Sequence, residues 1–424
     1  MSRPAHAPAM GALRRSRRIV AASMTAAFVI GSAAACAPAT DETADPAAEA
    51  AQDAPNQVSV EETQVNASAR DPKFPRVWTT DAEQFDAPSS AELKKIDELL
   101  SGSVDDAAAE GVTLTWCLRS LDTKKPVDEC VGDDETTFAA SIPKLAVAVA
   151  AIEAYEGTLD EVVIDEYTPW SAGNAGLRAA YDESMGEEAD GAVTSAAETA
   201  QEDDAPTTLG DLVAASIAYS DNDAVNELID VIPDGPAFGD AEAGTGSSGT
   251  PTTGDESSDA ASDMTAFEYV DAITARVGID EDFHVGAYFN VPESGDWNHI
   301  TASSATDYLS ALVKAADGEV TDENLNERAP EALATPKTAR AVLSAMAQQF
   351  RSTKIPGELP AGTFANKTGE TDTESHDLAV VGTKSGRYVL TAVSSFYSGA
   401  NPPDELLAET AKDVLDALGG SKRL

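Results

Sequence analysis

Three short groups of residues carry side chains that could form and break bonds at an acyl group. Ser141 and Lys144 stand three residues apart at the start of an apolar stretch. Ser220-Asp221-Asn222 lies between two predicted helices, and Lys367-Thr368-Gly369 ends a predicted strand. Residues three apart share a helix face, so the Lys144 amine can lie beside the Ser141 hydroxyl. A desolvated lysine can take the proton of a serine, and the spacing therefore predicts a serine nucleophile with a lysine base.

The other polar side chains of these groups have matching chemistry. Ser220 can pass a proton to a leaving nitrogen, while Lys367 holds Ser220 in position and attracts a substrate carboxylate. Asn222 can order Lys144 and bind a substrate amide. Ser141, Lys144 and Ser220 are thus the candidate catalytic residues.

Each group alone has a plainer interpretation. Ser141 and Lys144 could be a helix N-cap followed by a surface lysine, and Ser220-Asp221-Asn222 could be an Asx turn that caps a helix. Lys384-Ser385-Gly386 also fits the third pattern, but it separates two apolar strand runs and is predicted to be a hairpin turn. The occurrence of all three groups in one order favours the catalytic interpretation.

The ordered set resembles the S-x-x-K, S-D-N and K-T-G motifs of class A β-lactamases and penicillin-binding proteins. The resemblance covers roughly residues 91–418, and the stretch 218–226 matches as far as a second asparagine, Asn226. It implies an α+β fold in which an antiparallel sheet from both chain ends packs beside an all-helical subdomain, with the active site between them. It also implies acyl-enzyme chemistry on β-lactams or D-Ala-D-Ala-type cell-wall peptides. The backbone N–H groups of Ser141 and Glu370 would bind the oxyanion. The substrate-binding residues implied are Asn222, Lys367, Thr368, Gly369, Glu370 and Asn290.

The sequence departs from this family where the acyl-enzyme is hydrolysed. Class A β-lactamases use the Glu of an E-x-x-L-N motif, and residues 286–290 read Gly-Ala-Tyr-Phe-Asn here. Asn290 matches, but Gly286 stands in the place of the Glu. Glu293 is the nearest carboxylate, and a solvated loop acid is its plainer interpretation. The departure predicts slow deacylation. His376, near the place of a cation in many class A enzymes, is expected in a solvent-facing turn, with a ligand contact as the alternative.

The alternative to an enzyme is a non-catalytic protein with the same fold, either a penicillin-binding sensor or a surface scaffold. The acidic segments suit an interaction protein, but retention of the whole nucleophilic set favours the enzyme. The four histidines show neither H-x-H nor H-E-x-x-H spacing, so no metal or cofactor is predicted. A net charge of −46 argues against nucleic acid as a partner. The expected partner is a small β-lactam or peptidoglycan peptide, and the oligomeric state is left open.

The N-terminus has the pattern of a bacterial lipoprotein export signal. Four arginines at positions 14–18 precede an apolar run that ends in Ala33-Ala34-Ala35-Cys36. The pattern predicts a signal peptide over 1–35, a lipid on Cys36 and an extracytoplasmic protein held at the bacterial membrane by that lipid. An ordinary signal peptide with a chance cysteine is the alternative. Residues 36–88 are predicted to be a disordered acidic tether.

The globular domain is predicted over residues 89–424, with acidic inserts at 182–206 and 234–262. Hydrophobic periodicity and turn residues predict its elements. The predicted helices are 91–109, 142–155, 209–217, 224–232, 265–277, 306–315, 336–350 and 404–418, and the closing strands are 362–367, 377–382 and 388–395. A hairpin over 112–121 and 126–131 would place Cys117 opposite Cys130, which favours a disulfide in an oxidising compartment. Two buried free thiols are the alternative.

Overall fold

The computed structural model describes residues 85–164, 207–238, 264–279, 282–291, 296–318 and 332–424. The predicted signal peptide, Cys36, the insert 182–206, most of the insert 234–262 and Glu293 lie outside the described residues. Within the described ranges, no helix combines the length and the apolar character that a bilayer crossing requires.

Two classes of element make up the described fold. The strands are β1 (Thr113–Ser120), β2 (Asp128–Val131), β3 (Thr137–Phe138), β4 (Val162–Ile164), β5 (Thr207–Thr208), β6 (Phe283–His284), β7 (His299–Ile300), β8 (Phe364–Glu370), β9 (Ser375–Thr383) and β10 (Gly386–Ser395). The helices are α1 (Ser90–Ala109), α2 (Lys144–Ala154), α3 (Leu209–Ala218), α4 (Asn222–Val231), α5 (Ala266–Ala275), α6 (Ala302–Ala316), α7 (Pro336–Met346) and α8 (Asp404–Ala417).

A five-stranded antiparallel sheet joins the two ends of the domain in the order β2-β1-β10-β9-β8. One face packs against α1 and α8 through a core that includes Ile96, Trp116 and Leu407. The other face packs against the helical part through a larger core that includes Leu145 and Leu309. The described part is therefore an α+β fold, as predicted, with a helical layer on each side of the sheet.

Helix α2 is the centre of the helical part. Ten of its eleven residues are buried, since its sequence KLAVAVAAIEA has apolar side chains all round. It begins at Lys144 rather than at the predicted Ile142, because residues 140–143 form a turn in which the Ile142 N–H donates to Ala139 O at 3.1 Å. Ser141 lies in this turn, three residues before the first residue of the helix.

The hairpin of β1 and β2 has the predicted register. Cys117 pairs with Cys130 across the two strands, and a disulfide joins them with a Cα–Cα distance of 4.1 Å. The Lys384-Ser385-Gly386 stretch forms the turn between β9 and β10, also as predicted. The domain extends N-terminally beyond the predicted boundary at residue 89. Phe85 exchanges backbone hydrogen bonds of 2.9 Å with Asp122 and Lys124, so the end of the predicted tether is part of the domain.

Candidate active site

The turn before α2 fixes the candidate nucleophile. Ala140, directly before Ser141, has a φ of 46°, a conformation that costs a non-glycine residue free energy and is common at functional sites. Strand β8 supports this turn closely. A Cβ on Gly369 would lie 3.1 Å from both Ala139 O and Ile142 Cγ1, so only glycine lets the strand approach without displacing the turn. Ser141 is half-buried at the wall of a pocket.

Lys144 is buried beneath that turn and ties it to the next motif. Its Nζ donates to the backbone oxygen of Ser220 at 2.7 Å and to Asn222 Oδ1 at 2.5 Å. The ring centroid of Phe289 lies 5.2 Å from the same nitrogen. Burial lowers the pKa of Lys144 to about 7, although the charge of Asp221 opposes the shift. A large share of the amine is thus neutral near pH 7 and able to accept a proton.

Lys367 approaches Ser220 from the sheet. Its Nζ donates to Ser220 Oγ at 2.8 Å and to Thr368 O at 2.7 Å. Burial, reinforced by the charges of Lys144 and Arg351, lowers its pKa well below the usual value. Ser220 therefore lies between two buried lysines, one bonded to its carbonyl and the other to its hydroxyl.

The S-D-N motif reaches the site through the start of α4. Asp221 caps this helix by accepting hydrogen bonds from the backbone N–H groups of Asp223 at 2.8 Å and Ala224 at 3.1 Å. Ser220, one residue earlier, has a φ of 60°, which is unfavourable for a side chain larger than glycine. The cap and the strained serine together aim Ser220 Oγ at Lys367 and Asn222 Oδ1 at Lys144.

The side chains of the three motifs lie around or behind one pocket of about 510 Å³. Phe138 and Trp297 form part of its wall with 38% and 46% of their surfaces exposed, so apolar ring area is open to a bound molecule. Among the described residues, Ser141, Ser220, Asn222, Asn290, Thr368 and Glu370 of the predicted site line this pocket. Lys144 and Lys367 lie behind it, and Gly369 supports the nucleophile turn. The predicted site residues of the three motifs thus come together.

Two asparagines hold the loop that carries Gly286. Asn226 accepts from the Phe289 N–H at 2.8 Å and donates to Phe289 O at 3.0 Å. Asn298 Oδ1 accepts from the N–H groups of Gly286 and Ala287 at 2.9 and 3.0 Å. From the sequence, Asn226 is only a motif match, and no local pattern marks Asn298.

The ring of His284 occupies the space beside Gly286. A Cβ on Gly286 would lie 2.5 Å from His284 Nε2 and 3.0 Å from Asp296 O. His284 Nδ1 in turn lies 3.2 Å from Asp271 Oδ2. A side chain at position 286 therefore requires the histidine to move. Among the described residues of this loop, those that line the pocket carry no carboxylate.

The Glu370 side chain makes ion pairs that the sequence did not predict. Its two oxygens contact Arg351 and Lys354, and Arg351 also lines the pocket. The segment of Arg351 follows α7 and is held against β8 because Asn366 Nδ2 donates to Arg351 O at 3.1 Å. Burial alone would raise the pKa of Glu370, but the charges of Arg351 and Lys354 lower it well below its usual value. Glu370 is ionised at any working pH.

The prediction that His376 faces solvent is wrong. His376 lies in β9 and is fully buried, with Nε2 2.8 Å from Phe138 O and Nδ1 accepting from the Ser394 N–H at 3.2 Å. Burial lowers its pKa to about 4, so the ring is neutral. The histidine ties β3, which precedes the nucleophile turn, to the central sheet.

The family follows from the sequence of the whole domain. The family model described as "Beta-lactamase enzyme family" matches residues 93–418, more than three quarters of the chain. The chain belongs to the beta-lactamase enzyme family. It is therefore related to serine hydrolases that act on small β-lactam molecules, and the resemblance noted on the three motifs is confirmed.

Two solved extended-spectrum β-lactamases share the fold of this family member at low sequence identity. The TLA-3 extended-spectrum β-lactamase is 12% identical, with a TM-score of 0.52 over 76% of this chain and 99% of that one. The TLA-1 extended-spectrum β-lactamase is 14% identical, with a TM-score of 0.50 over 76% and 99%. A β-lactamase from Sphaerobacter thermophilus DSM 20745 is 17% identical, with a TM-score of 0.49 over 76% and 95%. Among curated proteins, none matches this chain.

Proposed function

We propose that this protein is a serine acyl-enzyme hydrolase that acts on β-lactams or on D-Ala-D-Ala-type cell-wall peptides and releases its acyl group slowly. The observation that carries the proposal is the buried connection of Lys144, Ser220 and Lys367 behind a pocket lined by Ser141. A surface lysine or a simple helix cap would not need two lysines buried around one serine, because burial of each amine costs free energy.

Acylation passes one proton from Ser141 to the leaving nitrogen by way of Lys144 and Ser220. The Ser141 oxygen attacks the carbonyl carbon of the substrate amide while its proton passes to the neutral amine of Lys144. The negative charge on the carbonyl oxygen is stabilised by the backbone N–H groups of Ser141 and Glu370. The C–N bond then breaks, the Ser220 hydroxyl donates its proton to the leaving nitrogen, and Ser220 regains a proton from the adjacent lysines.

Deacylation requires a water molecule and a base on the other side of the ester. Gly286 supplies no base, and the described pocket-lining residues of its loop are apolar, aromatic or amide-bearing. The carboxylates of the pocket wall lie on and after β8 instead, and Glu370 is engaged with two cations. A long-lived acyl-enzyme is the expected consequence.

We expect full-length protein incubated with benzylpenicillin to gain the mass of one intact penicilloyl group on Ser141. The adduct should persist for many minutes after excess ligand is removed, because water lacks a positioned base. Intact-mass and peptide-level mass spectrometry at successive times measure both points. An adduct that clears quickly while penicilloic acid accumulates would mean that a base lies elsewhere. Lack of an adduct at Ser141 would contradict the proposed acylation. A persistent adduct without release would instead favour the penicillin-binding sensor.

Restoring the missing carboxylate should accelerate deacylation. We expect Gly286→Glu in a His284→Ala background to hydrolyse the penicilloyl adduct about 10²-fold faster than His284→Ala alone, the range of a positioned general base. The histidine is removed because its Nε2 would lie only 2.5 Å from the new Cβ. Adduct decay followed by mass spectrometry gives the rate.

The matched control is Gly286→Gln in the same background, which has the shape of glutamate without its basicity. Equal acceleration by Gln and Glu would show that distortion of the loop lets water reach the ester. The faster hydrolysis would then not be due to a base at position 286. No acceleration by Glu would mean that residue 286 does not face the ester.

A further inference from the structure

Glu370 lies where the pocket meets a pair of cations. Its carboxylate contacts the guanidinium of Arg351, which lines the pocket, and the amine of Lys354, which is buried behind it. Asp404 Oδ2 lies 3.7 Å from the same amine and helps to hold it. The carboxylate is therefore fixed from two sides.

Arg351 is the only arginine or lysine among the described residues that line the pocket. Lys144 and Lys367 lie behind the wall and direct their amines at Ser220 and its neighbours. Burial also favours the neutral form of both lysines. The cation that a negatively charged ligand group meets at the pocket surface is thus Arg351, whose guanidinium is already paired with Glu370.

The same wall carries further negative charge. Asp372 and Glu374 follow β8 and line the pocket together with Glu370, so three carboxylates accompany one arginine. Glu374 Oε2 accepts a hydrogen bond from Thr373 Oγ1 at 2.8 Å and stays at the wall. A ligand carboxylate placed there would meet like charges across a short distance, which is unfavourable in a partly desolvated site.

We propose that the Glu370 side chain determines specificity by acting as an internal counter-ion for Arg351, so that the site gains little affinity from the free carboxylate that β-lactams and D-Ala-D-Ala-type peptides carry. The proposal rests on the proposed function and concerns how its substrates are held. A substrate carboxylate is tolerated rather than attracted at Arg351, and an analogue with an ester or amide in its place should lose little affinity. The backbone N–H of Glu370 keeps its separate role at the oxyanion.

Equilibrium binding in a Ser141→Ala background tests this without any acylation step. The probes are benzylpenicillin and its methyl ester, which differ in one negative charge. With Glu370 present, we expect the ester to bind about as tightly as the acid. Glu370→Gln keeps the shape but frees Arg351, and the Kd of the acid should fall about tenfold or more while that of the ester changes less than threefold. Isothermal titration calorimetry measures both ligands.

Asp372→Asn is the matched charge control, because it removes one pocket carboxylate that does not contact Arg351. It should change the ratio of the acid's Kd to the ester's Kd less than threefold. Arg351→Gln provides a second variant should Glu370→Gln lose its fold, and it should weaken binding of the acid further relative to the ester. An unchanged ratio in Glu370→Gln, an equal shift in Asp372→Asn, or no binding of either probe to any variant overturns the proposal. If Ser141 in the wild-type protein forms no adduct, the proposed acylation fails, while this binding measurement still decides the role of Glu370.

Discussion

The Ser141→Ala variant is expected to form no covalent adduct with benzylpenicillin at any exposure time. Ser141, the proposed nucleophile, is half-buried at the pocket wall, and the turn around it is shaped by Ala140 and Gly369. Removal of one oxygen atom leaves that turn without a nucleophile while the packing of α2 is unchanged. Intact-mass spectrometry over several hours provides the measurement, and circular dichroism confirms that the fold is retained.

Ser385→Ala is the matched control for this loss. Ser385 belongs to the Lys384-Ser385-Gly386 near-match, and its hydroxyl donates to Leu418 O at 2.9 Å in a hairpin turn. We expect wild-type labelling of this variant. Persistent labelling of Ser141→Ala would instead assign the nucleophile to another residue, with Ser220 as the first to test.

Lys144→Met should slow acylation about 10²–10⁴-fold, the usual contribution of a general base. Methionine nearly matches the length and the apolar stem of the lysine side chain, so the buried space at the start of α2 stays filled. It cannot accept the Ser141 proton, and it leaves Ser220 O and Asn222 Oδ1 without the hydrogen bonds that Lys144 donates. Stopped-flow or quenched-labelling rates with benzylpenicillin give the magnitude.

The pH dependence of acylation separates loss of a base from loss of packing. Because burial lowers the pKa of Lys144 to about 7, the neutral amine becomes dominant above that pH. The wild-type rate should therefore rise as pH increases through about 7, and Lys144→Met should lack this rise. A variant that acylates slowly but keeps the same pH profile would show that Lys144 acts through structure alone.

Local sequence patterns predicted most elements and the motif residues. The apolar alternation of residues 113–120 and the turn after them set the register that brings Cys117 opposite Cys130. Lys144 and Lys367 meet Ser220, and Asn222 meets Lys144, because each motif occupies a helix start or a strand whose period the sequence shows directly. Helix ends shifted by a few residues where a turn such as 140–143 continues into the helix.

Local sequence patterns do not predict contacts between segments that are distant in the chain. Arg351 follows a helix and resembles an ordinary surface arginine, and only the packing of its segment on β8 places it beside Glu370. His376 is expected from the sequence in a solvent-facing turn, yet it lies in β9, an interior strand of a sheet covered on both faces, and is buried there. The overlap of His284 with the space beside Gly286 depends on loop conformation, which composition does not determine.

The contacts around Ser220 also bear on how the protein acquires its reactivity. The Lys144 contact spans 76 residues of the chain and the Lys367 contact spans 147. Contacts of such sequence separation form only after long loops close, late in the ordering of a chain. In a partly folded chain the Lys144 amine is solvated and stays protonated, so Ser141 is an ordinary unreactive alcohol. Penicillin labelling would then count natively folded molecules alone, and its yield would serve as a titration of correctly assembled protein in a refolding mixture.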